Sequence, residues 1–220
     1  EKAAISIGEQ GHDVVGGCAG INLNNCLEGT LDIQYIMAVA QGSETYYDYD
    51  SNYEHGWLVS WAQGLNAREE PISVASISYG APESAMSGPD LDSFATEAMK
   101  LGLRGTTIVA ASGDNGANGS GVKKSGVCEA EKYNPQYPAT CPYVLAVGAT
   151  QGPENDEVES ACSSSTGGLI TTGGGFSEYW DRPSYQDEAV GGYLNHNSPP
   201  KGFNEHGRGY PDLSNLGHNY

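Results

Sequence analysis

Three short segments rich in β-branched and small apolar residues, Ile72–Ser78, Thr106–Ala111 and Tyr143–Val147, constrain the fold more than anything else in the chain. Between the first two, Leu91, Phe94, Ala98 and Leu101 recur at helical spacing behind Asp90, which is expected to cap that helix. Ahead of them, Trp57, Leu58, Trp61 and Leu65 fall on one side of a second helix that ends near Ala67. Ala3–Ile7 and Thr45–Tyr49 add two further strands. Strands alternating with helices of this length predict βαβ units and a mostly parallel sheet, an α/β fold. The chain beyond Thr150, with Gly173-Gly174-Gly175 and several prolines, reads as loop-rich. At 220 residues, a single domain spanning 1–220 is expected.

Charge narrows the function classes. The 28 acidic residues outnumber 10 basic ones, for a formal charge of -18, so neither nucleic acid nor an anionic membrane is an expected partner. No apolar run reaches spanning length. The five cysteines form no C-x-x-C pair, and the histidines show no H-E-x-x-H spacing, which argues against zinc. Proximity suggests disulfides Cys18–Cys26 and Cys128–Cys141, leaving Cys162 free or bonded outside the chain. Asn118-Gly119-Ser120 is an N-glycosylation sequon. Disulfides and a sequon together favour a secreted, lysosomal or vacuolar compartment. The opening at Glu1 is expected to follow removal of a leader.

Two places carry candidate chemistry. Leu27, Leu31, Ile33, Ile36, Met37 and Ala40 predict an apolar stripe on a helix that stops at Gly42. On that helix Glu28 and Asp32 stand four apart, one turn from each other, where like charges repel unless a proton or partner lies between them. The plainer alternative is a solvated acidic face. The second place is Ser112-Gly113-Asp114-Asn115-Gly116, just past a buried strand, at the end of the sheet where α/β folds keep their working residues. An ordinary turn aspartate satisfying local N–H groups is the alternative there. No G-x-S-x-G elbow occurs, and no glutamate closes a calcium loop after Asp114.

Taken in order, six motifs resemble the sedolisin family, the acid-active serine-carboxyl peptidases. They are E-x-x-L-D-x-Q from Glu28, S-I-S-Y-G ending at Gly80, R-G-T-T-I-V-A-A-S-G-D-N-G from Arg104, Y-P-A-T-C-P-Y-V-L-A-V-G-A-T from Tyr137, G-G-G-F-S-E-Y-W-D-R-P from Gly173, and G-R-G-Y-P-D-L-S from Gly207. The resemblance implies a subtilisin-like three-layer fold with a doubly wound, mostly parallel sheet. It implies that Glu28 is the general base, that Asp32 orients it, and that Asp114 serves the oxyanion hole. Ser78, Tyr79 and Gly80 correspond to the strand that pairs with substrate backbone. A carboxyl can donate to an oxyanion only when protonated, whereas the base must be ionised, so the resemblance implies activity in acid.

The family's nucleophilic serine lies in a G-T-S-x-x-x-P motif beyond G-Y-P-D, and its calcium site lies later still. Neither motif occurs in these 220 residues. Serine and calcium are therefore expected on a smaller companion chain, with this chain the larger piece of a nicked peptidase; Cys162 could bridge the two. A shortened chain and a non-catalytic, peptide-binding pseudoprotease are the alternatives. Ser112 and Ser177 read as structural, because nothing near either supplies an activated-nucleophile arrangement.

Overall fold

The computed structural model describes residues 4–8, 23–49, 56–121, 133–197 and 199–218. The chain divides into two compact units, Glu1–Trp61 and Ala62–Tyr220.

In the first unit β1 (Ile5–Gly8) runs to α1 (Leu23–Val39) and then to β2 (Tyr46–Tyr49). The strands pair in parallel, Ile5 opposite Tyr46 through Gly8 opposite Tyr49, which requires the crossover that α1 supplies. Gly42 adopts φ +90° just past the helix, the left-handed conformation that a helix-terminating glycine supplies. The covered face of α1 is not the predicted stripe. Leu27, Leu31 and Ile36 are exposed, whereas Glu28, Gly29, Asp32, Ile33 and Met37 are half-buried. A Cβ on Gly29 would stand 2.8 Å from the Tyr47 hydroxyl, so glycine there permits the close approach of α1 to β2. Cys26, in the first turns of α1, is disulfide-bonded. Cys18 and Cys128 lie outside the described residues.

α2 (Trp57–Asn66) links the units and buries Leu58, Ala62 and Leu65. In the second unit, β3 (Val74–Ile77) leads through the short β4 (Ala81–Pro82) into α3 (Gly88–Leu103) and β5 (Thr107–Ala111). Then follow β6 (Gln136–Tyr137), β7 (Leu145–Gln151), β8 (Ser160–Ala161), β9 (Gly175–Asp181), α4 (Asp187–His196), β10 (Gly207–Tyr210) and β11 (Leu213–Leu216). β11, β7, β5 and β3 form one sheet in that order, all parallel, with β8 antiparallel on β7. The segment beyond Thr150 is thus richer in structure than its glycines suggest, and it contributes a strand of the main sheet.

Burial alternates along these strands, and Ala75, Ile77, Ile108, Ala110 and Ala146 form the covered face. α3 buries Leu91, Phe94, Ala95, Ala98 and Leu101, the one-sided spacing expected of a helix on a sheet. Its cap is Ser87, not Asp90: Ser87 Oγ accepts from Asp90 N–H at 3.2 Å and donates to the Asp90 carboxylate at 2.6 Å. Asp90 instead supplies the reciprocal acid of the first turn. At the far end, the Arg104 guanidinium donates to the carbonyls of Asn66 and Arg68, satisfying acceptors at the end of α2.

The last motif, G-R-G-Y-P-D-L-S, receives a structural explanation. Arg208 is fully buried, donating to Val144 O at 3.0 Å, to Gly209 O, and to the Asp212 carboxylate at 2.6 Å. Asp212 also accepts from Ala146 N–H at 2.7 Å, and Gln186 exchanges two hydrogen bonds with the Gly209 backbone. This network ties β10, β7 and the turn before α4 to the start of β11.

Candidate functional site

Asp114 sits where β5 leaves the sheet, and the backbone around it is tightly specified. Ser112 N–H donates to Val147 O at 2.9 Å, Gly173 N–H to Gly113 O at 2.6 Å, and Thr171 N–H to Asp114 O at 2.9 Å. Asn115 and Thr171 form a parallel bridge. Gly113 adopts φ +103°, and a Cβ there would meet Gln136 Cγ at 3.2 Å, so both conformation and space call for glycine. The main chain of this turn is therefore fixed while the Asp114 side chain is exposed. Among the described residues, its carboxylate accepts no hydrogen bond and joins no ion pair. A turn aspartate that merely satisfies local N–H groups would do so. This one is exposed instead.

Asp114 shares a groove of about 390 Å³ at the carboxyl ends of the parallel strands with Ser78, Ser112, Thr172, Asn215 and Gly217. Ser78 follows β3 directly, and Tyr79 and Gly80 carry the chain out of the sheet toward β4. Tyr79 is 46% exposed. A Cβ on Gly80 would lie 2.5 Å from Tyr137 O, so that backbone passes too close to β6 for any side chain. Position at the carboxyl edge of a parallel sheet is where α/β proteins bind ligands. In the first unit, Glu28 and Asp32 share the half-buried face of α1, about 6 Å apart along its axis by helix geometry. That placement differs from a freely solvated acidic face.

Neither candidate serine of this chain is open to a substrate. Ser177 is fully buried; its hydroxyl donates to Glu83 at 2.6 Å and accepts from the N–H groups of Tyr179 and Trp180. Ser112 is 2% exposed. Glu83, itself buried, takes the Glu178 N–H at 2.7 Å on its other oxygen, and so fastens β9 to the segment that follows Gly80. The sequence reading passed over Glu83; the P-E step after Y-G carries no periodic signal. Thr172 and Asn215 were also missed, since each reaches the groove only through a strand or bridge far along the chain.

The cysteines require a correction. Cys141 is a free, fully buried thiol, so the expected Cys128–Cys141 bond is not made. Burial pushes its thiol up to about 12, despite lowering by a hydrogen bond at Tyr143 and the charge of Arg208. Cys162 is also free and 1% exposed, with Sγ 3.6 Å from Ile170 O, which removes the motive for a bridge through it. Among the described residues, no group of three or more His, Cys, Asp or Glu side chains is placed to hold a metal ion. No described helix is long and apolar enough to cross a membrane.

The model of the subtilase family, Peptidase_S8, matches residues 9–210. Tripeptidyl-peptidase 1 of Bos taurus is 36% identical over 229 residues, covering 100% of this chain and 36% of that protein. Physarolisin of Physarum polycephalum is 34% identical over 230 residues, covering 88% of this chain and 39% of its own. The chain thus spans a little over a third of the relatives it matches. Pseudomonas sedolisin, a serine-carboxyl proteinase solved with two molecules of pseudo-iodotyrostatin, superposes with a TM-score of 0.68 at 24% identity, over 97% of this chain and 57% of that one, a likeness of fold. The chain belongs to the subtilase family, in its sedolisin branch.

Proposed function

We propose that this chain is part of an acid-active serine-carboxyl peptidase that hydrolyses peptide bonds in proteins through an acyl-enzyme. The observation that carries the reading is Asp114: a solvent-facing carboxyl with no partner among the described residues, on a rigid turn at the carboxyl edge of the sheet. In this reading Glu28, ionised, takes the proton of the nucleophilic serine, and Asp32 orients Glu28 and shares its charge. The serine oxygen attacks the scissile carbonyl, and protonated Asp114 donates a hydrogen bond to the oxyanion. The proton held by Glu28 passes to the leaving amine, and water then cleaves the acyl-enzyme by the same route. Ser78, Tyr79 and Gly80 pair with the substrate backbone.

The nucleophile and the calcium site are not among these 220 residues; no step of the reaction runs through calcium. A secreted, lysosomal or vacuolar location suits the acid requirement. The second reading, a peptide-binding pseudoprotease, is favoured by one observation: the described candidate serines of this chain are buried. Intact mass spectrometry of the natural protein, paired with a peptide-cleavage assay in acid, separates the two. A G-T-S sequence in the natural protein, on this polypeptide or on one that co-purifies with it, together with Glu28-dependent cleavage is the expected result. Natural protein that carries no G-T-S sequence on any polypeptide and cleaves no peptide in acid overturns the peptidase reading.

A further inference from the structure

A cavity of about 590 Å³, separate from the groove at Asp114, opens beside the amino end of α3 and has no role in the reaction above. Its size is that of small-ligand sites. Its walls pair aromatic and apolar surface, Tyr133, Tyr179 and Met86, with polar groups, Asn134, Glu178 and Asn118. Such a mixture suits a sugar, whose ring faces are apolar and whose rim carries hydroxyl and amide groups. Asn118 is half-buried, and its carboxamide makes no hydrogen bond among the described residues. It is also the first residue of Asn118-Gly119-Ser120, the sequon for N-linked glycosylation. The other amide in the wall, Asn134, is engaged, its side-chain oxygen accepting from Ser84 Oγ at 3.2 Å.

We infer that Asn118 carries an N-linked glycan whose first N-acetylhexosamine seats in this cavity, against Tyr133 and Tyr179. The donor is a polyprenyl-diphosphate-linked oligosaccharide of the secretory pathway. The bond from Nδ2 of Asn118 to the anomeric carbon forms, the bond from that carbon to the diphosphate breaks, and Nδ2 gives up one proton. The inference stands whether or not the chain is a peptidase, since neither Asn118 nor the cavity takes part in that chemistry.

The test is secretion of the chain, behind a signal sequence, from a eukaryotic host, with intact mass read before and after a peptide N-glycosidase. The expected result is one glycan's mass on the parent, absent from both Asn118→Gln and Ser120→Ala. Two independent variants guard against one that fails to fold. The folded glycoprotein releases its glycan several-fold more slowly than the denatured one, and Tyr179→Ala narrows that difference. Secreted parent with no added mass overturns the site. Equal release from folded and denatured protein overturns the seating of the sugar in the cavity.

Discussion

Removing the Asp212 carboxylate orphans a buried guanidinium, and the size of the loss can be worked from the network. Arg208 is 0% exposed and its Nε has no acceptor, so the carboxylate at 2.6 Å is its one counter-charge among the described ion pairs. Breaking a fully buried pair by deleting one partner destabilises by about 3–5 kcal/mol. The Asp212 side chain is 19% exposed, so some solvent screening already operates and the lower end applies. Losing the 2.7 Å bond from Ala146 N–H adds about 1 kcal/mol. Asp212→Ala should thus cost about 3–4 kcal/mol, against a total domain stability of about 5–15 kcal/mol. With a urea m-value of about 2–3 kcal/mol/M, the midpoint falls by about 1–2 M. Trp180, on β9, reports the unfolding of this unit by fluorescence. The paired change Arg208→Met with Asp212→Leu removes both charges together and should recover most of the loss. A midpoint shift below about 0.3 M for Asp212→Ala, with m unchanged, refutes the claim that this pair holds the strands together.

Three further outcomes follow from the site and its surroundings. In the complete enzyme, Asp114→Ala lowers kcat by about 10²–10³-fold; Asp114→Asn keeps a donor at every pH and extends activity toward neutrality, and an unchanged pH profile counts against the oxyanion role. Cys141 and Cys162, buried and with the Cys141 thiol pushed up to about 12, are not alkylated in the folded chain near neutral pH and label fully in denaturant, as peptide mapping reads out; rapid labelling of either in the folded state contradicts their burial. Desolvation pushes the Glu154 carboxyl up, but the His218 hydrogen bond at 2.8 Å and the Gly152 N–H together outweigh it and hold it below the usual range. Its contribution to stability is therefore present above the unfolded-state value and lost as pH falls through the folded one. Glu154→Gln should flatten that acid limb of the denaturation profile, and an identical limb removes the pair from the account.

Most of what the sequence makes legible here is local. β3, β5, β7 and α3 announce themselves by β-branched runs and helical spacing, because each buries a whole face and must be written in apolar residues. β11 does not: Leu213-Ser-Asn-Leu216 is short, polar and mostly exposed, and it becomes a strand only because β7 offers an unpaired edge. β9 and β10 are hidden the same way, their glycines reading as loop while the antiparallel ladder and the Arg208 network determine their structure. The cap of α3 moved from Asp90 to Ser87 because a capping box contains two candidate acceptors three residues apart, and spacing alone does not order them. Cysteine proximity misled for a related reason. Closeness in sequence says nothing about burial, and Cys141 lies inside the core formed around Ala139, Ala146 and Tyr210.

The candidate site divides along the same line, and the division explains why motif order outweighed any single motif. Glu28 and Asp32 follow from helical spacing and are half-buried, on a helix that comes close to Tyr47 at Gly29, eighteen residues away, an approach that no pattern within the helix reveals. Asp114 follows from the strand-to-glycine step. The turn around it is held from nearly sixty residues on: the Thr171 and Gly173 N–H groups donate to Asp114 O and Gly113 O, and Gly116 N–H, the group such an aspartate would otherwise cap, donates to Thr171 O at 2.9 Å. A long-range pairing that satisfies the main chain leaves the side chain exposed. The glycines of G-G-G-F-S are there because that pairing brings two backbones within contact: a Cβ on Gly173 would stand 2.0 Å from Ser112 O. That motif, with no titratable residue until Glu178, thus fixes the turn that carries Asp114.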